Sequence, residues 1–476
     1  MDARARSPHP DSSASALRSR AESHPIVPAK LRRPRLRATL VPRPRLLRKL
    51  RQGRHARLTL VTGPAGAGKS TLLAQWAADD RETRPFAWLS LDAADRDPAR
   101  LWPHLLGALR SVEPRIGGAS SELAAARTID ELAGALAAEL EEVRPFVLVF
   151  DSWQALDGSP GAEALLAVVR QAPDTIQVVV ASRSLPRAAL ERLRLAGELA
   201  EIGPDDLRLT QDETAELARA LEVLLPTRAL VELDERAEGW ATGVQLLLRE
   251  PRGNGLRDVL AFLRRSVLDD LTAETQDFLR RTSLLDRLTG PLCDEVAQTS
   301  ASIGRLAELD DDGLFLVALD GTHEYRYNRL FADALALELE LVEPELETLL
   351  HERASRWFEA DGDASGAVAH AIAARDVTRA SDLVATYAAA MPDEVVTGWL
   401  DALSWPAAVA DAQLALVRAT HAREATARDL EQWFAVAATD ARPADEHLAL
   451  GAASIESAIA TLRSLYLCAD LAEAEA

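Results

Sequence analysis

Residues 58–77 constrain this chain more than any other stretch. An apolar run, Leu58-Thr59-Leu60-Val61, leads into Gly63-Pro64-Ala65-Gly66-Ala67-Gly68-Lys69-Ser70-Thr71, and a helical pattern through Leu72, Leu73 and Trp76 follows. Gly63, Gly68, Lys69 and Ser70 satisfy the phosphate-binding loop G-x-x-x-x-G-K-[ST] without a mismatch. Glycines at 66 and 68 let backbone N–H groups close around phosphate oxygens, and the helix N-terminus behind them favours negative charge. Lys69 is placed to reach the β- and γ-phosphates, and the Ser70 hydroxyl to ligate Mg²⁺. The bland alternative is a glycine-rich turn that binds nothing. Composition weighs against it: of 54 basic residues only Lys30, Lys49 and Lys69 are lysines, and one of the three stands where a slim ammonium is needed.

From 58 to 203 short apolar runs alternate with helical segments, the pattern of a parallel sheet with crossover helices. Strands are expected at 58–62, 86–91, 146–150, 176–181 and about 199–202, each almost wholly apolar, as doubly covered parallel strands are. The third run closes on Asp151. A strand-end aspartate about 80 residues after a phosphate loop is a Walker B carboxylate, which holds Mg²⁺; alone it is equally a cap or turn residue. The fourth closes on Ser182-Arg183, and an arginine at that edge can report a γ-phosphate or be simply solvated. Lys69, Asp151 and Arg183 are therefore the candidates for acting on a terminal phosphate, with Ser70 and Asp151 the candidate metal ligands.

At 476 residues the chain is too long for one ordinary core. It reads as a basic tail (1–29), a P-loop nucleotide-binding domain (30–205), a helical lid (206–255), a winged helix (256–342) and a region of helical repeats (343–476). The lid reading rests on helical period over 211–250, with Leu217, Leu221, Leu224 and Leu225. The winged helix follows from amphipathic helices over 256–298 broken at Gly290-Pro291, a helix at 303–310, and strand-like runs 314–319 and 324–327 joined at Asp320-Gly321-Thr322-His323. Without a basic recognition helix, that winged helix is expected to pack against the nucleotide domain. Beyond 345 small and large residues alternate as in stacked helix pairs, with a plain bundle as the alternative.

Charge divides the chain. Residues 1–57 hold 16 Lys/Arg against three acidic groups, and the remainder 38 against 71, so the body repels nucleic acid. The basic arm could touch it, but its first 29 residues, rich in Ser, Pro and Ala and without an aromatic to stack, read as a disordered tail. Two cysteines far apart, no signal-peptide core and no run near 18 apolar residues read as a cytoplasmic protein without a membrane segment. Competing chemistries lack their residues. No lysine after Lys69 serves a guanine-specific N-K-x-D motif, no L-S-G-G-Q segment occurs, histidines are scattered, and no G-x-S-x-G elbow exists.

The chain resembles the MalT-type, LuxR-family ATP-dependent regulators of the STAND class of signalling NTPases. The resemblance is carried by Val41-Pro42-Arg43-Pro44-Arg45-Leu46, loop 63–71, Ala87-Trp88-Leu89-Ser90-Leu91-Asp92, Ser182-Arg183, Glu238-Gly239-Trp240, Leu279-Arg280-Arg281-Thr282-Ser283, Tyr325-Arg326-Tyr327 with Leu330-Phe331, and His351-Glu352-Arg353-Ala354. It implies an ATP/ADP switch: an α/β nucleotide domain followed by all-α modules, a TPR-like superhelix among them. ADP would hold the modules closed, an inducer at the C-terminal helices would favour ATP and self-association, and a separate helix-turn-helix would contact DNA. It adds Val41 and Arg43 to the nucleotide-binding set. Three features depart from the family. Ser152 stands where a second acidic residue is usual, so hydrolysis is expected to be slow or absent. Asn328 and Arg329 replace paired histidines. Residues 343–476 show no helix-turn-helix pattern, so DNA contact would need a domain not seen in this chain. Two other readings stay open: a working ATPase or small-molecule kinase, and an interaction scaffold without nucleotide dependence.

Overall fold

The structure is a computed structural model and describes residues 25–37, 39–117, 128–184, 187–249, 255–319, 323–403, 411–421, 427–438 and 456–464. Most of the basic tail, the turn residues 320–322 and Cys468 lie outside this set. The chain forms two compact units. One is Met1–Leu271 with Arg305–Ala318 and Tyr327–Ala334; the other is Thr272–Gly304 with Leu319–Arg326 and Leu335–Ala476.

The first unit is built on a parallel sheet. Its strands are β1 (Leu58–Thr62), β2 (Phe86–Ser90), β3 (Val147–Asp151), β4 (Gln177–Ser182) and β5 (Leu199–Ile202), in the order β2-β3-β4-β1-β5. All four pairings are parallel. β3 and β4 each begin one residue later than the sequence suggests and keep their polar last residues, Asp151 and Ser182, inside the ladder. Alternate side chains feed two cores. Leu58, Leu60, Leu148, Phe150, Val178 and Val180 join one; Val61, Val147, Val149, Val179 and Ala181 join the other, around Leu46, Leu50 and Trp76. Helices begin where the sequence supplies caps. Asp97 accepts from Ala99 N–H ahead of Pro98–Arg110, and Thr210 exchanges hydrogen bonds with Glu213 at the start of Gln211–Ala220.

Residues 211–250 are not one continuous helical run. Gln211–Ala220 ends before Leu224, which is 94% exposed, and Pro226 caps the next helix, Thr227–Ala237. Glu238 (φ 49°) and Gly239 (φ 69°) are both left-handed and turn the chain into Ala241–Arg249. Leu224 and Leu225 are thus linker positions. The helix Gly255–Ser266 completes this group.

In the second unit Gly290-Pro291 open a helix, Gly290–Ala297, rather than merely breaking one; Thr289 caps it, and proline suits its first turn. Beyond it the described chain is helical over Leu346–Asp361, Ala364–Ala373, Val377–Tyr387, Asp393–Ala402, Ala412–His421 and Ala427–Ala437. Asp363 and Asp376 cap two of these. Two histidines that look unrelated in sequence meet here: His351 Nδ1 and His370 Nδ1 are 2.8 Å apart. The short strands β6 (Leu316–Ala318) and β7 (Tyr325–Tyr327) form the expected two-stranded sheet. Among the described residues no helix is long and apolar enough to cross a membrane.

Candidate functional site

The carboxyl ends of β1, β3 and β4 converge, which is where ligands bind in open parallel sheets. β1 delivers the loop, and Gly63 N–H reaches the Ser182 carbonyl at 3.4 Å. Gly66 (φ 73°) and Gly68 (φ 92°) supply the left-handed turns, and Gly68 caps the helix Lys69–Trp76. Lys69 Nζ folds back across the loop to the carbonyls of Gly63 (2.5 Å) and Pro64 (2.9 Å). Burial, reinforced by the Arg183 charge and opposed by Asp151, lowers its pKa to about 8. Ser70 Oγ donates to Asp151 Oδ1 at 2.8 Å, although β4 lies between their strands. Burial raises the Asp151 pKa, against the Ser70 hydrogen bond and the Lys69 charge.

Arg183 is near enough to Lys69 to affect its titration, yet its guanidinium donates to the Ser266 carbonyl at 2.6 Å. Burial lowers its pKa, against the charge of Asp270. Gln154, from the turn after β3, accepts from the Arg183 N–H at 3.2 Å. Arg43 is buried, with Nη2 donating to the carbonyls of Leu207 (2.7 Å) and Arg208 (2.8 Å) and to Glu213 (3.2 Å). A Cβ at Gly68 would lie 4.0 Å from its Nη1, so Arg43 flanks the loop. The Val41 carbonyl accepts from Gln75 on the helix behind the loop. Ala65 and Ala67 are buried in the loop, while Pro64 and Thr71 are half-buried. Ser152, following Asp151, is left-handed at φ 65°.

Sequence reasoning missed what holds the loop from outside. Trp240 Nε1–H donates to the Ala65 carbonyl at 2.9 Å, while Thr242 donates to the Gly66 carbonyl from N–H (3.2 Å) and Oγ1 (2.9 Å). The available signal was Glu238-Gly239 before Trp240, a left-handed turn that points an aromatic residue at a fixed place. A cavity of about 290 Å³ runs from Gly63 and Pro64 past Arg183 to Trp240, Phe315 and Asn328. Asn328 Oδ1 is committed to the N–H of Phe331 at the start of Arg329–Val342.

The donor set suits a magnesium nucleotide. Two left-handed glycines, a half-buried ammonium and a helix N-terminus form an anion cradle, and a hydroxyl oxygen beside a carboxylate oxygen is the hard pair that Mg²⁺ prefers. Fold and loop together define a P-loop NTPase module, continued by helices and a two-stranded sheet. Residues 44–181 match the AAA ATPase domain and residues 264–347 the MalT winged helix domain. The chain is MalT-like in carrying both domains in this order and in its similarity to MalT regulators along most of its own length. It is 31% identical over 423 residues to the HTH-type transcriptional regulator MalT of Cronobacter sakazakii, covering 83% of this chain and 46% of that regulator. It is 33% identical over 390 residues to the serine/threonine-protein kinase PknK of Mycobacterium tuberculosis, covering 78% of this chain and 35% of the kinase. The chain thus spans less than half the length of either relative. Among solved structures it is similar to the Walker-type ATPase PABY2304 of Pyrococcus abyssi, with a TM-score of 0.45 at 19% identity, covering 64% of this chain and 98% of that one.

Proposed function

We propose that this chain is the nucleotide-operated part of a transcriptional regulator. ATP and ADP would be discriminated at residues 63–71, with hydrolysis slow or absent. The observation that carries this reading is the alignment of Lys69, Ser70 and Asp151 at one end of the sheet. Lys69 would leave the carbonyls of Gly63 and Pro64 for phosphate oxygens. Ser70 and Asp151 would hold the metal ion, which when bound offsets the negative charge of the terminal phosphates. Val41 and Arg43 would border the nucleotide from the side of Gly68. Arg183 would act once it left the Ser266 carbonyl, which makes it a reporter of closure. Ser152 offers no carboxylate to activate water.

The modules proposed are the tail 1–29, nucleotide domain 30–205, lid 206–255, winged helix 256–342 and superhelical sensor 343–476. An inducer or protein partner at the sensor would favour exchange to ATP and self-association in the cytoplasm. DNA would be reached through a module not seen in this chain. The relative named as a transcriptional regulator supports that direction. The competing reading is a working ATPase or small-molecule kinase, and the kinase relative keeps phosphoryl transfer in view.

The test is to identify nucleotide released from purified protein and to measure phosphate release with Mg²⁺. Retained adenine nucleotide that is lost in Lys69→Ala, with turnover well below about 1 s⁻¹, supports the switch. Turnover within the range of roughly 1–10³ s⁻¹ favours the enzyme. No retention by either form favours a scaffold.

A further inference from the structure

Among the described residues, the phosphate loop meets the lid through two outward-facing carbonyls. Ala65 C=O accepts the indole N–H of Trp240, and Gly66 C=O accepts both the backbone N–H and the hydroxyl of Thr242. A trans peptide is planar, with its C=O and N–H pointing in opposite directions. Fixing the Ala65 carbonyl on the indole therefore turns the N–H of Gly66 away from the lid, toward the inside of the loop. No other residue type fits at 66: a Cβ there would lie 2.6 Å from Thr242 Oγ1, and φ is 73°.

The lid side is equally constrained. Trp240 is buried, and its ring packs 5.8 Å from Phe262 and 4.9 Å from Phe315, centroid to centroid. Phe315 stacks at 4.8 Å and 14° on Phe331. Phe315 sits at φ 40°, a backbone conformation rare for a bulky residue and held here by its neighbours. A Cβ on Gly243 would lie 2.3 Å from the Trp240 ring, so the helix Ala241–Arg249 fits the indole closely. One side chain thus hydrogen-bonds the loop with its N–H and packs on Phe262 and Phe315 with its ring.

We infer that Trp240 and Thr242 are positioning residues that couple occupancy of the phosphate loop to seating of the lid. An anion on the N–H side of the Ala65–Gly66 peptide polarises it and strengthens the bond its carbonyl accepts from Trp240. The Gly66–Ala67 peptide, held by Thr242, gives its own N–H to the Pro64 carbonyl, so Thr242 fixes the shape of the loop. Phosphate binding and lid seating therefore favour each other, and by reciprocity each raises the affinity of the other by the same factor. The inference rests on the nucleotide reading of the preceding section and gives that site its regulation.

The test uses the full chain and N-methylanthraniloyl-ADP with Mg²⁺. Replacing Trp240 by 3-benzothienylalanine keeps the bicyclic ring and its packing and removes only the N–H; Thr242→Val replaces only the hydroxyl. Each is expected to speed release of the labelled nucleotide by about three- to tenfold, the worth of one hydrogen bond, and Thr242→Ser restores the slow rate. Hydrogen exchange of amides 241–249 slows when ADP is added to the parent chain, and this protection shrinks in both variants. Release rates within about twofold of the parent, with ADP protection unchanged, overturn the coupling while leaving the nucleotide site intact. A parent chain that binds no labelled nucleotide overturns the nucleotide reading and the coupling together.

Discussion

Gly313 lies against the carbonyl of Arg183: a Cβ built on it would come within 2.5 Å of that oxygen. The glycine is at φ 68°, so both space and backbone exclude a side chain. The loop ending the helix Ser302–Asp311 is thereby seated on the end of β4, beside the arginine proposed to report the nucleotide. Gly313→Ala is expected to cost roughly 1–3 kcal/mol from the left-handed backbone, with the contact adding to it. Gly304→Ala is the control, since nothing lies within 4 Å of its Cβ and the site is helical. Chemical unfolding compares the two, and equal midpoints would refute the close seating of Gly313.

Lys69 supplies a pH prediction with two opposite signs. Its folded pKa of about 8 lies below the ordinary 10.5. Between these values the unfolded chain binds more protons than the folded one, so the contribution of Lys69 to stability rises with pH across that window. The phosphate contact proposed for Lys69 uses the ammonium, so nucleotide affinity is expected to fall above pH 8, by up to about tenfold per pH unit. Calorimetric titration at pH 7, 8 and 9 with thermal melts at the same pH values checks both. Lys69→Arg keeps the charge and should lose the affinity slope; a slope unchanged in that variant would remove Lys69 as its cause.

The sheet was legible because buried parallel strands are nearly pure apolar runs, and 58–62 and 199–202 coincide with β1 and β5. Asp151 was legible for the same reason, as a charge ending such a run. The order of the strands was not, since nothing local in β4 announces that it lies between β1 and β3. The break between helices at Leu224 was not legible, because the spacing of leucines continues through a linker whose leucine is solvated. The partners of Arg43 and Arg183 were also hidden. Both arginines donate to backbone carbonyls, Arg43 to Leu207 and Arg208 beside its ion pair with Glu213, and Arg183 to Ser266, and a carbonyl carries no residue signature. Trp240 and Thr242 escaped for that reason too, since they read the loop through its backbone.

The metal-holding role proposed for Asp151 works against stability. A carboxyl whose folded pKa is raised holds its proton more tightly folded than unfolded, so its contribution to stability falls as pH rises through that range. Asp151→Asn removes this cost and still offers an oxygen to Ser70 Oγ. It is expected to melt higher than the parent at pH 7.5 and to lose the tightening of ADP binding that Mg²⁺ brings, while binding without metal changes little. Melting curves together with titrations in Mg²⁺ and in chelator decide the matter. A variant with full magnesium dependence would exclude Asp151 as a metal ligand.

In the second unit, His351 and His370 form a buried pair whose Nδ1 atoms, 2.8 Å apart, can share one hydrogen only if at least one ring is neutral. Burial lowers both pKa values; His370 falls to about 4 through burial and the neighbouring His351, against the charge of Asp363. Phe358 stacks on His370 at 5.2 Å and leaves no room for a hydration shell on that face. Between pH 4 and the ordinary 6.5, the unfolded chain takes up protons that the folded unit refuses, so stability is expected to fall as pH drops through that window. For His370 the slope approaches roughly 1.4 kcal/mol per pH unit, and His351 adds to it in the same direction. Urea unfolding followed by Trp357 and Trp399 fluorescence at pH 7, 6 and 5 measures it, and His370→Gln should flatten the curve. A midpoint independent of pH across this range would mean that the pair accepts a proton while folded.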